Sequence, residues 1–418
     1  MRYSPGSMAG LNRDALLTAL ILVSMVLGVG LGLGARQWAV LAAVVDSIGW
    51  LGVLFKQLLL LIIYPLVLAS IYVGVVGLGD IRKTGGVAAR AVTYFLCTTA
   101  VSVVLGLVLV NILEPGEGFD LGTVEPGTLS VEETTLGAFF IDLLRNTFKN
   151  PFASLAQGDV LAIIAFSLLL GLVSSVMGQA ARPLTAFFES LNEAMMILTG
   201  WIMWLAPLGV LALLSKVVAA QGLEVLVALW SYMRAVLAGL FLHGLLVLPL
   251  VAWMVAGVSP VRLLRGMRAP LAVAFSTASS AATLPVTIDT VEREFEVTPR
   301  VTRFVLPLGA TLNMDGTALY EAMAAMFIAQ AYGIELGLGS QVLVFLTATI
   351  AAVGAAGIPG AGLVTLGIVL QAVGLPLEAI ALILAVDRLL DMCRTAVNVE
   401  GDSVGCLVVQ RWDQGAKE

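Results

Sequence analysis

The sequence predicts an all-α polytopic membrane protein in which two of the membrane segments stop part-way and turn back. Three observations carry this expectation. Of 418 residues, 59% are hydrophobic and only 12% charged, and mean hydropathy is +1.01; soluble chains carry about 45–50% apolar and about 25% charged residues. Apolar runs of the ~20 residues that a spanning helix needs recur along the chain. In the second half, small polar and Gly/Pro clusters cut such runs to half length.

In chain order, a polar N-terminus with Arg2 and Arg13 leads into an apolar stretch over 15–35. No small-residue cleavage site follows it, so it is expected to be an uncleaved first helix. Further runs lie at 39–79, 87–113, 160–178, 189–222 and 224–257. Several exceed the length of a perpendicular span, which implies tilted or broken helices. Trp201, Trp204 and Trp230 are expected at the membrane interface or in packing. Gly77-Leu78-Gly79-Asp80 matches a string of intramembrane aspartyl proteases. Asp80 adjoins Arg82 and Lys83 and has no Tyr-Asp partner, so the string is expected to begin a loop. Thr98 and Thr99, a polar pair in an apolar helix, are ordinarily explained by helix–helix hydrogen bonds.

Orientation follows from Lys and Arg. Arg82, Lys83, Arg90, Arg262, Arg265, Arg268, Arg300 and Arg303 mark one side with Arg2 and Arg13, and the acidic stretch 114–133 marks the other. The basic side is expected to be cytoplasmic, with both termini inside a multi-pass inner (cell) membrane protein and the loop 114–134 outside.

The interruptions are Ser276-Thr277-Ala278-Ser279-Ser280-Ala281-Ala282-Thr283-Leu284-Pro285 and Gly354-Ala355-Ala356-Gly357-Ile358-Pro359-Gly360-Ala361-Gly362. Their flanks of roughly 10–17 apolar residues are too short to cross and suit re-entrant helical hairpins, about 259–292 and 340–372. Non-helical backbone at membrane depth is tolerated only against protein or a water-filled cavity. Paired interruptions point to a transporter binding site built from inverted repeats.

Composition excludes other classes. The net charge of −6 rests on few charges in loops, and no basic patch suits nucleic acid. Cys97, Cys393 and Cys406 show neither zinc nor disulfide spacing. His243 reads as a packed helix residue. Neither paired catalytic aspartates nor a continuous polar path is visible, so neither a protease nor a pure channel is expected, and no enzyme.

The last helix, roughly Leu377 to Val409, begins after Pro376, a residue suited to a helix's first turn. Asp391, Arg394, Thr395, Asn398 and Asp402 stand at offsets 0, +3, +4, +7 and +11. They fall within about 100° of arc, extended by Asp387 at −4, while Glu400 points to the opposite face. An Asp–Arg staple between helices would be the bland explanation, but ionisable groups inside a membrane are expensive and mark substrate or ion pathways. Arg394 offers a planar fork for a carboxylate. Asp391 can take an ammonium, Thr395 and Asn398 supply neutral hydrogen bonds, and Asp402 suits a small cation. The pairing suggests an amino acid. A second constellation, Gly309-Ala310-Thr311-Leu312-Asn313-Met314-Asp315-Gly316-Thr317, breaks an apolar segment and frees the carbonyls that a desolvated sodium ion requires.

These strings resemble the dicarboxylate/amino acid:cation symporter family, the glutamate transporter homologues. Asn313-Met314-Asp315-Gly316-Thr317 is similar to its helix break, Gly357 to Gly362 to its second hairpin tip, and Asp391 to Asp402 to its final helix. Thr98-Thr99, Pro151-Phe152 and Ala206-Pro207-Leu208-Gly209-Val210 also fit, so the resemblance covers essentially the whole chain. It implies a homotrimer in the bilayer, with eight transmembrane helices and two hairpins. Residues 1–79 and 114–222 would form a scaffold, and 83–113 and 223–412 a transport domain that slides as an elevator, gated outside by hairpin two.

The resemblance places substrate contacts on Ser280, Thr317, Ile358, Gly362, Asp391, Arg394, Thr395 and Asn398. It implies up to three co-transported sodium ions: one on Gly309, Asn313, Asn398 and Asp402; one on carbonyls of Thr311, Ala352, Val353 and Ala355; and one on the Phe95 carbonyl, Thr98, Thr99, Asn313 and Asp315. Arg394 matches members carrying acidic amino acids. The expected function is sodium-coupled uptake of L-aspartate or L-glutamate; the alternative is a proton-coupled glutamate or C4-dicarboxylate symporter of the same fold. Two departures stand out. The arginine that relatives carry at the position of Ala278 or Met392 is absent, with Arg388 a hypothesised substitute. Ala352 and Ala355 replace hydroxyl residues.

Overall fold

The computed structural model describes residues 8–415 except 78–84, 120–140, 142, 143, 146, 158, 223, 354, 356 and 358. Both termini, most of the acidic loop, the Gly-x-Gly-Asp string past Gly77, and Ile358 therefore lie outside the described residues.

Among the described residues every regular element is helical. The first helices are α1 (Met8–Ala35), α2 (Ala39–Gly77) and α3 (Gly85–Leu113). At about 1.5 Å per residue, the 39 residues of α2 far exceed one bilayer crossing. The apolar stretch expected over 160–178 is α5 (Val160–Met177), preceded by the short α4 (Pro151–Gln157). The expected run over 189–222 is instead two helices, α6 (Arg182–Met203) and α7 (Ala206–Gln221). Pro207 in the first turn of α7 explains the break, because proline lacks the N–H that would continue α6 and fits a helix start. The run over 224–257 is α8 (Glu224–Leu242), a π turn (His243–Val247) and α9 (Leu248–Ala256).

Each interrupted segment forms two helical arms that pack on one another. The first comprises α10 (Pro260–Gly266) and α11 (Arg268–Thr277), then α12 (Ser280–Glu294). Between α11 and α12 only Ala278, in the left-handed region at φ 50°, and extended Ser279 are non-helical. The second comprises α15 (Leu338–Val353) and α16 (Ala361–Ala372). Between the two pairs, α13 (Pro299–Leu312) and α14 (Asp315–Ala331) are separated by non-helical Asn313 and Met314. A 3-10 turn at Leu377–Ala379 leads into α17 (Ile380–Gly415), which runs past the expected end at Val409.

The helices sort into two packed groups: α1, α2, α5, α6 and α7, and α3 with α8 to α17. Contacts between the groups are made chiefly by α16 on α2 and α5, and by α17 on α7. α14 is the centre of the second group, buried along its whole length apart from Gln330. A helix apolar around its circumference belongs in such a place. The outer surface carries large apolar side chains, including Trp38, Trp50, Phe187, Trp253 and Met254, each more than half exposed. Trp201 and Trp230 also point outward, at 69% and 53% exposed, so neither packs inside the chain. An apolar exterior on this scale fits a lipid environment.

Candidate functional site

Three breaks meet α17 at one place: the tip between α11 and α12, the tip before α16, and the gap between α13 and α14. The tips are bonded to each other. Ser279 Oγ donates to Gly357 O at 2.7 Å, and Ala281 N donates to the same oxygen at 3.2 Å. Gly357 is required there, because a Cβ would sit 2.8 Å from Ala310 O. Non-helical backbone in the interior thus has partners, as burial demands.

A cavity opens beneath the tips, lined among others by Ser280, Thr317, Gly362, Asp391, Thr395 and Asn398. Six of the eight residues expected to touch substrate therefore line one cavity. Arg394 does not line it. Its guanidinium is fully buried, lies 3.7 Å over the Tyr320 ring, and donates through Nη2 to Asp387 Oδ1 at 3.0 Å and Asp391 Oδ1 at 2.9 Å. Its Nε and Nη1 have no hydrogen-bond partner. Asp391 Oδ2 accepts from Gly360 N at 2.9 Å and lies 3.7 Å from Arg388 Nη1. Asn398 ties α17 to α14: Gly316 N donates to its Oδ1 at 2.8 Å, and its Nδ2 donates to Thr317 Oγ1 at 3.2 Å.

A second cluster joins α3, the α13–α14 gap and α17. Thr99 Oγ1 donates to Asp315 Oδ1 at 2.7 Å, and Thr98 Oγ1 lies 3.3 Å from both Asp315 Oδ1 and Asn313 Oδ1. Thr98 Oγ1 is also 3.1 Å from Tyr94 O and 3.2 Å from Phe95 O. All five residues expected at the third ion position are thus gathered here. For the first ion position, Asn313 Nδ2 donates to Asp402 Oδ1 at 3.1 Å. Gly309 faces the same oxygen so closely that a Cβ would lie 2.5 Å from it. For the second, Ala352 and Ala355 are buried where α15 ends and α13 packs on α15, with Ala355 N donating to Ala352 O. Thr311 Oγ1 turns back to Leu308 O, and no bond joins Thr311 to that corner among the described residues.

Sequence reasoning missed three buried polar groups. His243, read as a packing residue, places Nε2 3.1 Å from Asp315 Oδ2, with both side chains fully buried. The π turn that begins at His243 is the local device, since such turns re-aim a side chain within a helix. Glu321 on α14 is fully buried with neither carboxylate oxygen hydrogen-bonded. It stands four residues after Thr317, one turn along the same face, a spacing that the sequence displays. Ser102 Oγ donates to the Asp315 carbonyl.

The model of the sodium:dicarboxylate symporter family matches residues 17–412. Excitatory amino acid transporter 3 of Homo sapiens is 38% identical over 440 residues, covering 93% of this chain and 84% of its own. Neutral amino acid transporter A of Homo sapiens is 37% identical over 462 residues, covering 99% and 86%. Neutral amino acid transporter B(0) of Oryctolagus cuniculus is 39% identical over 437 residues, covering 96% and 81%.

Proposed function

The chain belongs to the sodium:dicarboxylate symporter family, and from that membership we propose that it is a secondary active transporter coupling inward sodium movement to uptake of an acidic amino acid. The observation that carries the substrate class is the Asp391–Arg394 pair beside the cavity. The substrate's side-chain carboxylate takes the Arg394 fork, whose Nε and Nη1 are unsatisfied, and its ammonium goes to Asp391. Uncompensated buried donors of this kind cost about 1–3 kcal/mol each, which a carboxylate ligand removes. Thr317, Thr395 and Asn398 fix the remaining polar atoms.

Sodium is assigned to the oxygen clusters around Asp315 and Asp402. The single proton of the Thr98 hydroxyl cannot serve the four oxygens around it. Surplus oxygens converging from three elements suit a hard cation that has shed its water. The helices α1, α2 and α4 to α7 act as scaffold and α3 with α8 to α17 as a sliding unit, with the two arm pairs as re-entrant hairpins in a homotrimer. Proton-coupled uptake, or carriage of a C4-dicarboxylate, is the second reading. The hydrogen bond from Gly360 N and the Arg388 guanidinium 3.7 Å away favour the latter, because they engage the carboxylate that an ammonium needs.

Radiolabelled L-aspartate uptake into proteoliposomes, with sodium, proton and potassium gradients imposed separately, tests the proposal. Uptake driven by an inward sodium gradient is expected. Uptake indifferent to that gradient, or a preference for succinate, rejects it in favour of the second reading.

A further inference from the structure

The proposed chemistry uses Asp391 and Arg394 and leaves Arg388 without a task. Arg388 is 4% exposed and stands one turn before Asp391 on α17, with Nη1 3.7 Å from Asp391 Oδ2. A charge is not held in a membrane interior without consequence. It lines a second cavity on the far side of the Gly360 tip, walled by Ile21 of α1, Met203 of α6, Val210 of α7 and Leu363 of α16. Asp391 lines both cavities and is the partition between them. One of its oxygens is engaged by Arg394 on the stripe, and the other faces Gly360 N and Arg388.

We infer that Arg388 is a specificity-determining positioning residue: from the cavity against α1 and α7 it draws on Asp391 and weakens that carboxylate's hold on a substrate amino group. A substrate ammonium arriving at Asp391 must share the carboxylate with a guanidinium already beside it. Two like charges gathered on one carboxylate repel, and a buried site screens that repulsion poorly. A substrate with the same two carboxylates and no amino group escapes the repulsion entirely. The site therefore separates an amino acid from the corresponding diacid less steeply than the Asp391–Arg394 pair alone would. The inference rests on the proposed substrate class and refines it.

The test uses the full-length purified chain in saturating sodium. L-aspartate affinity is measured by calorimetry and succinate affinity by competition, for wild type, Arg388→Gln and Arg388→Lys. Taking the ratio removes what Arg388 does to carboxylates in general, because both ligands carry two. Arg388→Gln is expected to raise the aspartate-to-succinate affinity ratio by about tenfold, ~1.4 kcal/mol, and Arg388→Lys to keep it near wild type. Arg388→Met, of matching length and uncharged, gives the same reading if the glutamine variant does not fold. An unchanged or lower ratio in the uncharged variants overturns the inference, including the case in which both affinities and the melting temperature fall together, as for a purely structural residue. A wild-type chain that binds neither ligand removes the transport reading and this inference with it; a wild type that binds, with the ratio unmoved by substitution, removes this inference alone.

Discussion

Asp315 shows how much one side chain is asked to hold. Its Oδ1 accepts from Thr99 and neighbours Thr98, its Oδ2 faces His243, and its carbonyl accepts from Ser102. Three residues thus converge on one carboxylate that is wholly buried, and a fourth holds the backbone beside it. Converging donors hold it in a single orientation, which an ion site needs before the ion arrives. Hydrogen bonds to a charged group contribute about 1.5–3 kcal/mol, so Thr99→Ala is expected to raise the sodium concentration for half-maximal uptake by about tenfold or more. Uptake should recover at saturating sodium, since the substrate cavity is untouched. Proteoliposome uptake titrated against sodium decides this; an unchanged half-saturating concentration would remove Thr99 from the ion site. His243 was not legible as part of this cluster. Its partner lies 72 residues away, and a lone histidine in an apolar run carries no periodic signal.

At the scale of elements, the site exists because α16 and α17 approach more closely than ordinary side chains allow. A Cβ on Gly362, in the first turn of α16, would lie 2.5 Å from Arg394 Nη1. Gly362→Ala must push the guanidinium off the Tyr320 ring or lift α16 from α17. Overpacking of this kind costs about 1–3 kcal/mol, so aspartate binding is expected to weaken by about ten- to a hundredfold. Equilibrium binding in detergent tests this, and an affinity within twofold of wild type would show that Arg394 is not held where substrate meets it. The breaks themselves were legible: Ser279, Asn313 and Gly360 announce non-helical backbone inside apolar runs, and the structure has its gaps there. The stripe on the last helix was legible from spacing alone, because a single helix fixes its own geometry. What spacing could not reveal is the rotamer. Arg394 turns Nη2 onto Asp387 and Asp391 over the Tyr320 ring of another helix, and only its Nη1 edge approaches the cavity, against Gly362. The length of the run over 189–222 implied a tilted or broken helix but not where it breaks, since apolar content runs unbroken through Trp204 and Leu205 while Pro207 sets the break.

For the whole molecule, the division into two packed groups bears on how a site buried this deeply exchanges its contents with water. All the residues that line the cavity beneath the tips belong to the second group, so that group can carry the cavity intact if it moves as a body. Outside the cavity that Asp387, Arg388 and Asp391 line, the surface between the groups is apolar at Met203 against the Gly360 tip and at Gly74 beside Leu312. Apolar contacts are non-directional and can be exchanged for others with little change in free energy, which favours sliding over hinging. A directional contact crosses that surface between Tyr64 of α2 and Gln371 of α16, whose OH and Nε2 are 3.3 Å apart. That pair is the place to arrest the motion. With Cys97, Cys393 and Cys406 replaced by serine or alanine, Tyr64→Cys with Gln371→Cys should be joined by a short thiol cross-linker. The elevator reading expects the cross-linked protein to lose uptake to below about a tenth of its reduced control, with each single-cysteine variant unaffected by the reagent. A reducible linker should restore uptake on cleavage. Binding of aspartate in sodium should survive cross-linking in detergent, because no residue of the cavity is altered. Full uptake by quantitatively cross-linked protein would mean that α2 and α16 stay together through the cycle, and the division into scaffold and moving unit would then have to be drawn elsewhere.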